Sequence, residues 1–182
     1  MVSRRQKFAA IVVIIVVVLA SSAIILTSNN LQTSSARAMI LVADDIKDGP
    51  QWHQDSVGDD NLKEPNTTSI AYSDMWNESV GSATITLMVF NNVTNCHTMF
   101  LNWTTHYSQN VTHPSIGDEN AYCLSGHDPQ TNASTHMLLA FREVNIMAWV
   151  SLEINGMTSW LYGSTLHLAD LQLQKIDQFL AD

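Results

Sequence analysis

Two alternating apolar runs meet across a tight connection late in the chain. Thr135, Met137, Leu139 and Phe141 alternate with His136, Leu138, Ala140 and Arg142. After Glu143, Val144 and Asn145, the pattern resumes: Ile146, Ala148, Val150, Leu152 and Ile154 against Met147, Trp149, Ser151 and Glu153. A period of two is that of a strand, and two strands joined by so short a link must pair antiparallel as a hairpin. Any fold for this chain therefore has to contain an antiparallel sheet.

Upstream, Ala83–Phe90 is a second clear strand. Ala83, Ile85, Leu87 and Val89 share one face, and Thr84, Thr86, Met88 and Phe90 the other, which predicts a sheet partly covered on both sides. Shorter strands are expected over Ser69–Ser73 and Ala121–Ser125. From Val93 to Tyr107 the period changes: Cys96, Met99, Phe100, Trp103 and Tyr107 recur at three and four residues, one side of an amphipathic helix. A last helix from about Ser164 to Leu180 puts Ala169, Leu173, Ile176 and Leu180 on one stripe. Met39–Ile46 predicts a helical turn or two, halted by Asp48, Gly49 and Pro50, with a polar loop to about Pro65. Ser108–Asp118 and Gly126–Asn132 read as loop and turn. The order strand, strand, helix, strand, hairpin, helix predicts an α+β domain, a largely antiparallel sheet packed against two main helices.

The N-terminus imposes a different constraint. Phe8–Leu26 is apolar except for Ser21 and Ser22, and nineteen helical residues span roughly 28 Å, about the thickness of a bilayer's hydrocarbon core. Arg4, Arg5 and Lys7 precede it and the first acid is Asp44, so the positive-inside rule puts the N-terminus in the cytoplasm and the rest outside. The expected organisation is a basic stub over residues 1–7, a transmembrane signal anchor over 8–26, a polar tether over 27–38 and an extracellular α+β domain over 39–182. Ser21 and Ala23 have side chains that a signal peptidase accepts, so cleavage would yield a secreted form. Six N-X-S/T sequons, at Asn66, Asn77, Asn92, Asn102, Asn110 and Asn132, exceed the two or three that composition gives by chance, roughly estimated, and are the expected glycan acceptors of an exported domain.

Beyond the apolar span, Arg37, Lys47, Lys63, Arg142 and Lys175 face seventeen acids, an excess of twelve negative charges with His neutral. That balance argues against nucleic acid and anionic lipid as partners. The two cysteines, Cys96 and Cys123, are expected to form a bridge in an oxidising compartment, fastening helix to sheet. Unstrained, it would contribute about 3 to 4 kcal/mol. No CxxC or zinc spacing occurs.

Seven histidines raise a metal alternative. His97 and His106 lie nine residues apart on the predicted helix and point in opposite directions. The loop residues His113 and His127 with Asp118 and Asp128 form the one weak candidate site, which would make the chain a metal-dependent hydrolase or metal-binding protein. HExxH, the calcium loop, GxSxG and the P-loop are all missing from the sequence. Ser125, His127 and Asp128 adjoin in sequence, but a triad is defined by geometry. A pilin-like filament subunit would need a small residue before the apolar run and an acid near its start. Here Lys7 directly precedes Phe8 and the run holds no acid.

Three segments resemble PsbP-like domains, including exported lipoprotein and sensor ectodomains. MILVADDIKDGPQW is similar to their opening segment, Ile116, Gly117, Asp118, Glu119 and Asn120 to their Ile-Gly-Asp-Glu-Ala strand start, and Phe141, Arg142 and Asn145 within AFREVNIMAWVSL to their Phe-Arg-x-Gly-Asn hairpin. The resemblance runs over about residues 39–180. The chain has Asn120 where the family has Ala, Val144 where it has Gly, and Pro50 and Gln51 between Gly49 and Trp52, which the family keeps adjacent. The resemblance implies that Asp118 and Glu119 serve the fold rather than a reaction. It implies an accessory, binding or sensory module without catalytic activity or cofactor. Read from the residues themselves, the aromatics outside the core stripes, Trp52, Trp76 and Trp160, are the expected contacts with an extracellular protein, glycan or small-molecule partner.

Overall fold

The computed structural model describes residues 35–49, 51–60, 64–107, 116–126, 134–154 and 160–182. They form an α+β domain around one six-stranded sheet: β1 (His53–Asp59), β2 (Thr67–Asn77), β3 (Gly81–Phe90), β4 (Glu119–Ser125), β5 (His136–Glu143) and β6 (Ile146–Ile154). Their spatial order is β1-β2-β3-β6-β5-β4, and every neighbouring pair is antiparallel. The helices are α1 (Ala36–Met39), α2 (Val93–Tyr107) and α3 (Leu161–Ala181), with a 3-10 turn at Ala43–Asp45.

The two-sided alternation of β3 divides the molecule into two cores. Ala83, Ile85, Leu87 and Val89 pack with Leu161, Leu168, Ala169 and Ile176 of α3 and with Ala36 and Met39 of α1. Met88 and Phe90 turn the other way, onto Cys96, Phe100 and Trp103 of α2. Each long helix thus covers one side of the sheet. The hairpin forms as its pattern requires, with Glu143 opposite Ile146 and Val144 and Asn145 as its turn.

Several expectations need correction. The segment read as polar loop contains β1, whose only aliphatic side chain is Val57. Its place comes from pairing with β2 and from Gln54, whose amide donates to Ser56 O, Ser73 Oγ and Asp74 O while its Oε1 accepts from Ala43 N. Tertiary bonding overrides local pattern here. Likewise β2 continues past Ser73 to Asn77.

The expected helix at Met39–Ile46 divides into α1 and the 3-10 turn, and the domain begins before residue 39. Ala36 is fully buried and its N–H donates to Ser69 Oγ at 3.0 Å. The α3 stripe is centred on Thr165, Ala169, Gln172 and Ile176, all fully buried, while Leu173 and Leu180 flank it. Gln172 fits because its amide serves two backbone groups, Leu41 N at 2.8 Å and Met39 O at 2.9 Å.

The expected Cys96–Cys123 bridge is not formed; both residues are free thiols. His97 is bonded to Glu119, the first residue of β4, so the start of α2 lies over that end of the strand. Cys123 is four positions further along, about 13 Å, whereas bridged residues have Cα atoms within about 7 Å. Burial pushes the Cys96 thiol up to about 12, a shift that Glu119 and Asp118 add to and Arg142 opposes.

The apolar span over 8–26 and most of the tether lie outside the described residues. Among the described residues, no helix is long and apolar enough to cross a membrane.

Candidate functional site

The sheet has two unlike ends. At the first, β3 passes into α2, β4 begins and the β5–β6 hairpin turns. Here the two segments singled out in the sequence, Ile116–Glu119 and Phe141–Asn145, interlock. Gly117 has φ 62°, and a side chain there would strike Arg142 O at 2.5 Å, so a glycine lets the two backbones meet. Asp118 N donates to Arg142 O at 2.8 Å, and Val144 N donates to Asp118 Oδ2 at 3.1 Å.

Arg142, only 8% exposed, is the centre of this arrangement. Its Nε donates to Glu119 Oε2 at 3.0 Å, while Nη1 reaches Val144 O at 2.7 Å and Asp118 Oδ2 at 3.1 Å. His97 Nδ1 adds a second bond to Glu119 Oε2 at 2.8 Å. Burial by itself would raise the Glu119 pKa, but the bonds from His97 and Arg142 outweigh it and hold the carboxyl below its ordinary range. Val144 takes φ 53°, an unfavourable backbone for a β-branched residue. The next residue anchors that turn: Asn145 Nδ2 donates to Phe90 O at 2.6 Å and Phe90 N to Asn145 O at 2.9 Å. The acids here are spent on an arginine, a histidine and a turn amide. The cluster holds three strands and a helix together.

The opposite end carries the β2–β3 turn at residues 78–80. Directly paired residues share a face, so Trp76, Ser82, Glu153, His136 and Ser125 form one row across the α2 side of the sheet. Trp76 is 41% exposed and stacks on His53, with ring centroids 4.5 Å apart and planes at 25°. Asp74 accepts from Ser56 at 2.7 Å and Thr84 at 2.8 Å. His136 lies between two hydroxyls, Ser125 Oγ at 2.6 Å from Nδ1 and Ser151 Oγ at 2.7 Å from Nε2. Serine beside histidine suggests a nucleophile, but the far ring nitrogen meets a hydroxyl and not the carboxylate that would orient a base.

The three tryptophans expected at a contact surface separate. Trp76 is at this open face, and Trp160, 51% exposed, immediately precedes α3, beside Tyr162 and its edge contact with Tyr122. Trp52 is 8% exposed and belongs to the α3-side core, a correction to its reading as a surface residue. It lines, with Asp48 and Gly49, a cleft of about 370 Å³ against the start of α3.

Of the metal candidates, His113, His127 and Asp128 lie outside the described residues, and Asp118 is engaged with Arg142 and Val144. Among the described residues, no three His, Cys, Asp or Glu are grouped to hold a metal ion. The sequons also divide. Asn66, Asn92 and Asn102 are exposed, and Asn92 caps α2 through Oδ1 on Asn95 N at 2.8 Å. Asn77 is 5% exposed: its Nδ2 donates to Gln51 O and its Oδ1 accepts from Ser79 N and Val80 N. A sugar on that nitrogen is incompatible with this packing, so Asn77 leaves the set of acceptors. Asn110 and Asn132 lie outside the described residues. Sequence reasoning missed the structural roles of Gln54, Gln172 and Asn77. Of the three, Gln172 carries a local signal, an amide on the stripe that the burial period of α3 assigns to the core, whereas Gln54 is exposed on a strand without an apolar period and Asn77 carries only its sequon.

Compared with protein-family models, curated proteins and solved structures, the chain matches none.

Proposed function

We propose that this chain is a membrane-anchored, outward-facing binding or sensory module of PsbP-like type, with no catalytic role of its own. The observation that carries the reading is the exposed Trp76–His53 stack on a polar half-face of the sheet, set apart from a charged cluster already consumed in holding the fold. An exposed tryptophan is the kind of anchor in which contact surfaces are enriched, and the polar groups around it are those of a solvated rim. The N-terminal apolar span, the basic residues before it and the exposed sequons Asn66, Asn92 and Asn102 supply the outward-facing half of the reading. The PsbP-like assignment draws support from the interlock of the two resembling segments.

The test places a photo-crosslinking residue at Ser82 or Thr84 in the full chain in its native membrane, with glycan mass read on the same protein. The expected result is a discrete adduct from the open face, lost in Trp76→Leu, together with glycans on the exposed sequons and none on Asn77. Bare sequons, or no adduct from either position, would overturn the proposal.

A further inference from the structure

We propose that the cleft beside Trp52 binds a small organic cation, an ammonium group carried on an apolar body. The proposal rests on the binding-module reading and adds a ligand site on the side of the sheet opposite Trp76.

The walls are fixed in advance. Asn77, buried and bonded to Gln51 on one side and to the turn carrying Val80 on the other, holds Trp52 and Val80 in register across the cleft. Trp52, Val80 and Leu168 give it an apolar floor, and its volume falls in the range of small-ligand sites. One glycine keeps it open. A Cβ at Gly163 would meet nothing within 4 Å, whereas Gly49 is fixed as glycine by its φ of 95°. Gly163 lies in the first turn of α3, where alanine is the better helix former. Packing does not demand a glycine there, but a side chain would narrow the cleft.

Charge selects the ligand. Asp48 lines the cleft, and among the described lining residues His167 is the other titratable group and there is no Lys or Arg. The start of α3 contributes about half a positive charge, less than the full carboxylate. The acid excess of the domain adds to the attraction for cations. An ammonium between Asp48 and the Trp52 indole would gain both ion pairing and the attraction of the ring face.

The test titrates tryptamine, phenethylamine and choline into the full chain in detergent by calorimetry, with indole-3-acetate as the anionic control. At least one cation should bind and the anion should not. Asp48→Asn should weaken binding about tenfold, and Gly163→Leu should abolish it with the melting temperature unchanged or raised. Absence of binding by all three cations at millimolar concentration would overturn the proposal, as would equal binding of the anion or binding indifferent to Gly163→Leu. Such a failure alongside an intact Trp76-dependent adduct would leave the module reading standing, whereas loss of both would remove it.

Discussion

Arg142 and Trp76 project from the same side of the same sheet, at opposite ends. Arg142 is 8% exposed and meets two carboxylates and a carbonyl; Trp76 is 41% exposed and rests on one histidine. The covering helix explains the contrast. α2 sets Cys96, Phe100 and Trp103 over Met88, Phe90, Ala140 and Met147, and beyond these residues the same face reads Ser82, Thr84, Ser151 and Glu153. Charge under the helix must be paired to be tolerated, so it becomes part of the fold. Polar groups beyond it remain solvated and available to a partner.

The largest expected effect that tests this division is at the closed end. Arg142→Leu should cost about 2 to 4 kcal/mol, slightly under the range for a fully buried pair because its carboxylates are partly solvated. Chemical denaturation measures it, and a loss under about 1 kcal/mol would break the comparison. Asn77→Ala should cost about 2 kcal/mol, since three backbone groups lose a buried partner. That result would sharpen the comparison by separating the framework of the open end from its surface.

Acidity distinguishes two carboxylates at the closed end. Glu119 is held below its ordinary value of 4.5, so its contribution is present above that value and is lost as pH falls through the lowered pKa. Burial, with Asp118 and Asp177 nearby, raises Glu143, so its charge costs stability at neutral pH; the cost fades as pH falls through the raised pKa and is gone below the ordinary value of 4.5. Glu119→Gln should therefore destabilise at pH 7 and Glu143→Gln should stabilise, both differences closing in acid. Melting curves across pH 3 to 7, roughly the window these shifts define, check the two signs. Smaller still is Val144→Gly, where relief of a φ near 53° is set against the greater freedom of glycine in the unfolded chain. A net gain of up to about 1 kcal/mol is expected.

The hairpin and α2 were legible because a period of two, and one of three and four, persist over many residues. The strand β1 was not, having Val57 alone to mark a face. Spacing could suggest that Cys96 and Cys123 pair, but not how far along β4 the start of α2 falls. Nor could it separate Trp52, in the wall of a cleft, from Trp76 on an open face, since both are tryptophans beside polar residues. A fold role for Asp118 and Glu119 was implied only by the resemblance, and Arg142 became visible as their partner only when β4 and β5 were placed side by side.

The most direct test of the account compares the thermal unfolding of Arg142→Leu and Trp76→Leu in the same full-length protein. Arg142→Leu should lower Tm by roughly 4 to 12 °C, and Trp76→Leu should stay within about 3 °C of the unsubstituted chain. A larger loss from Trp76→Leu than from Arg142→Leu would contradict the assignment of one end to the fold and the other to binding.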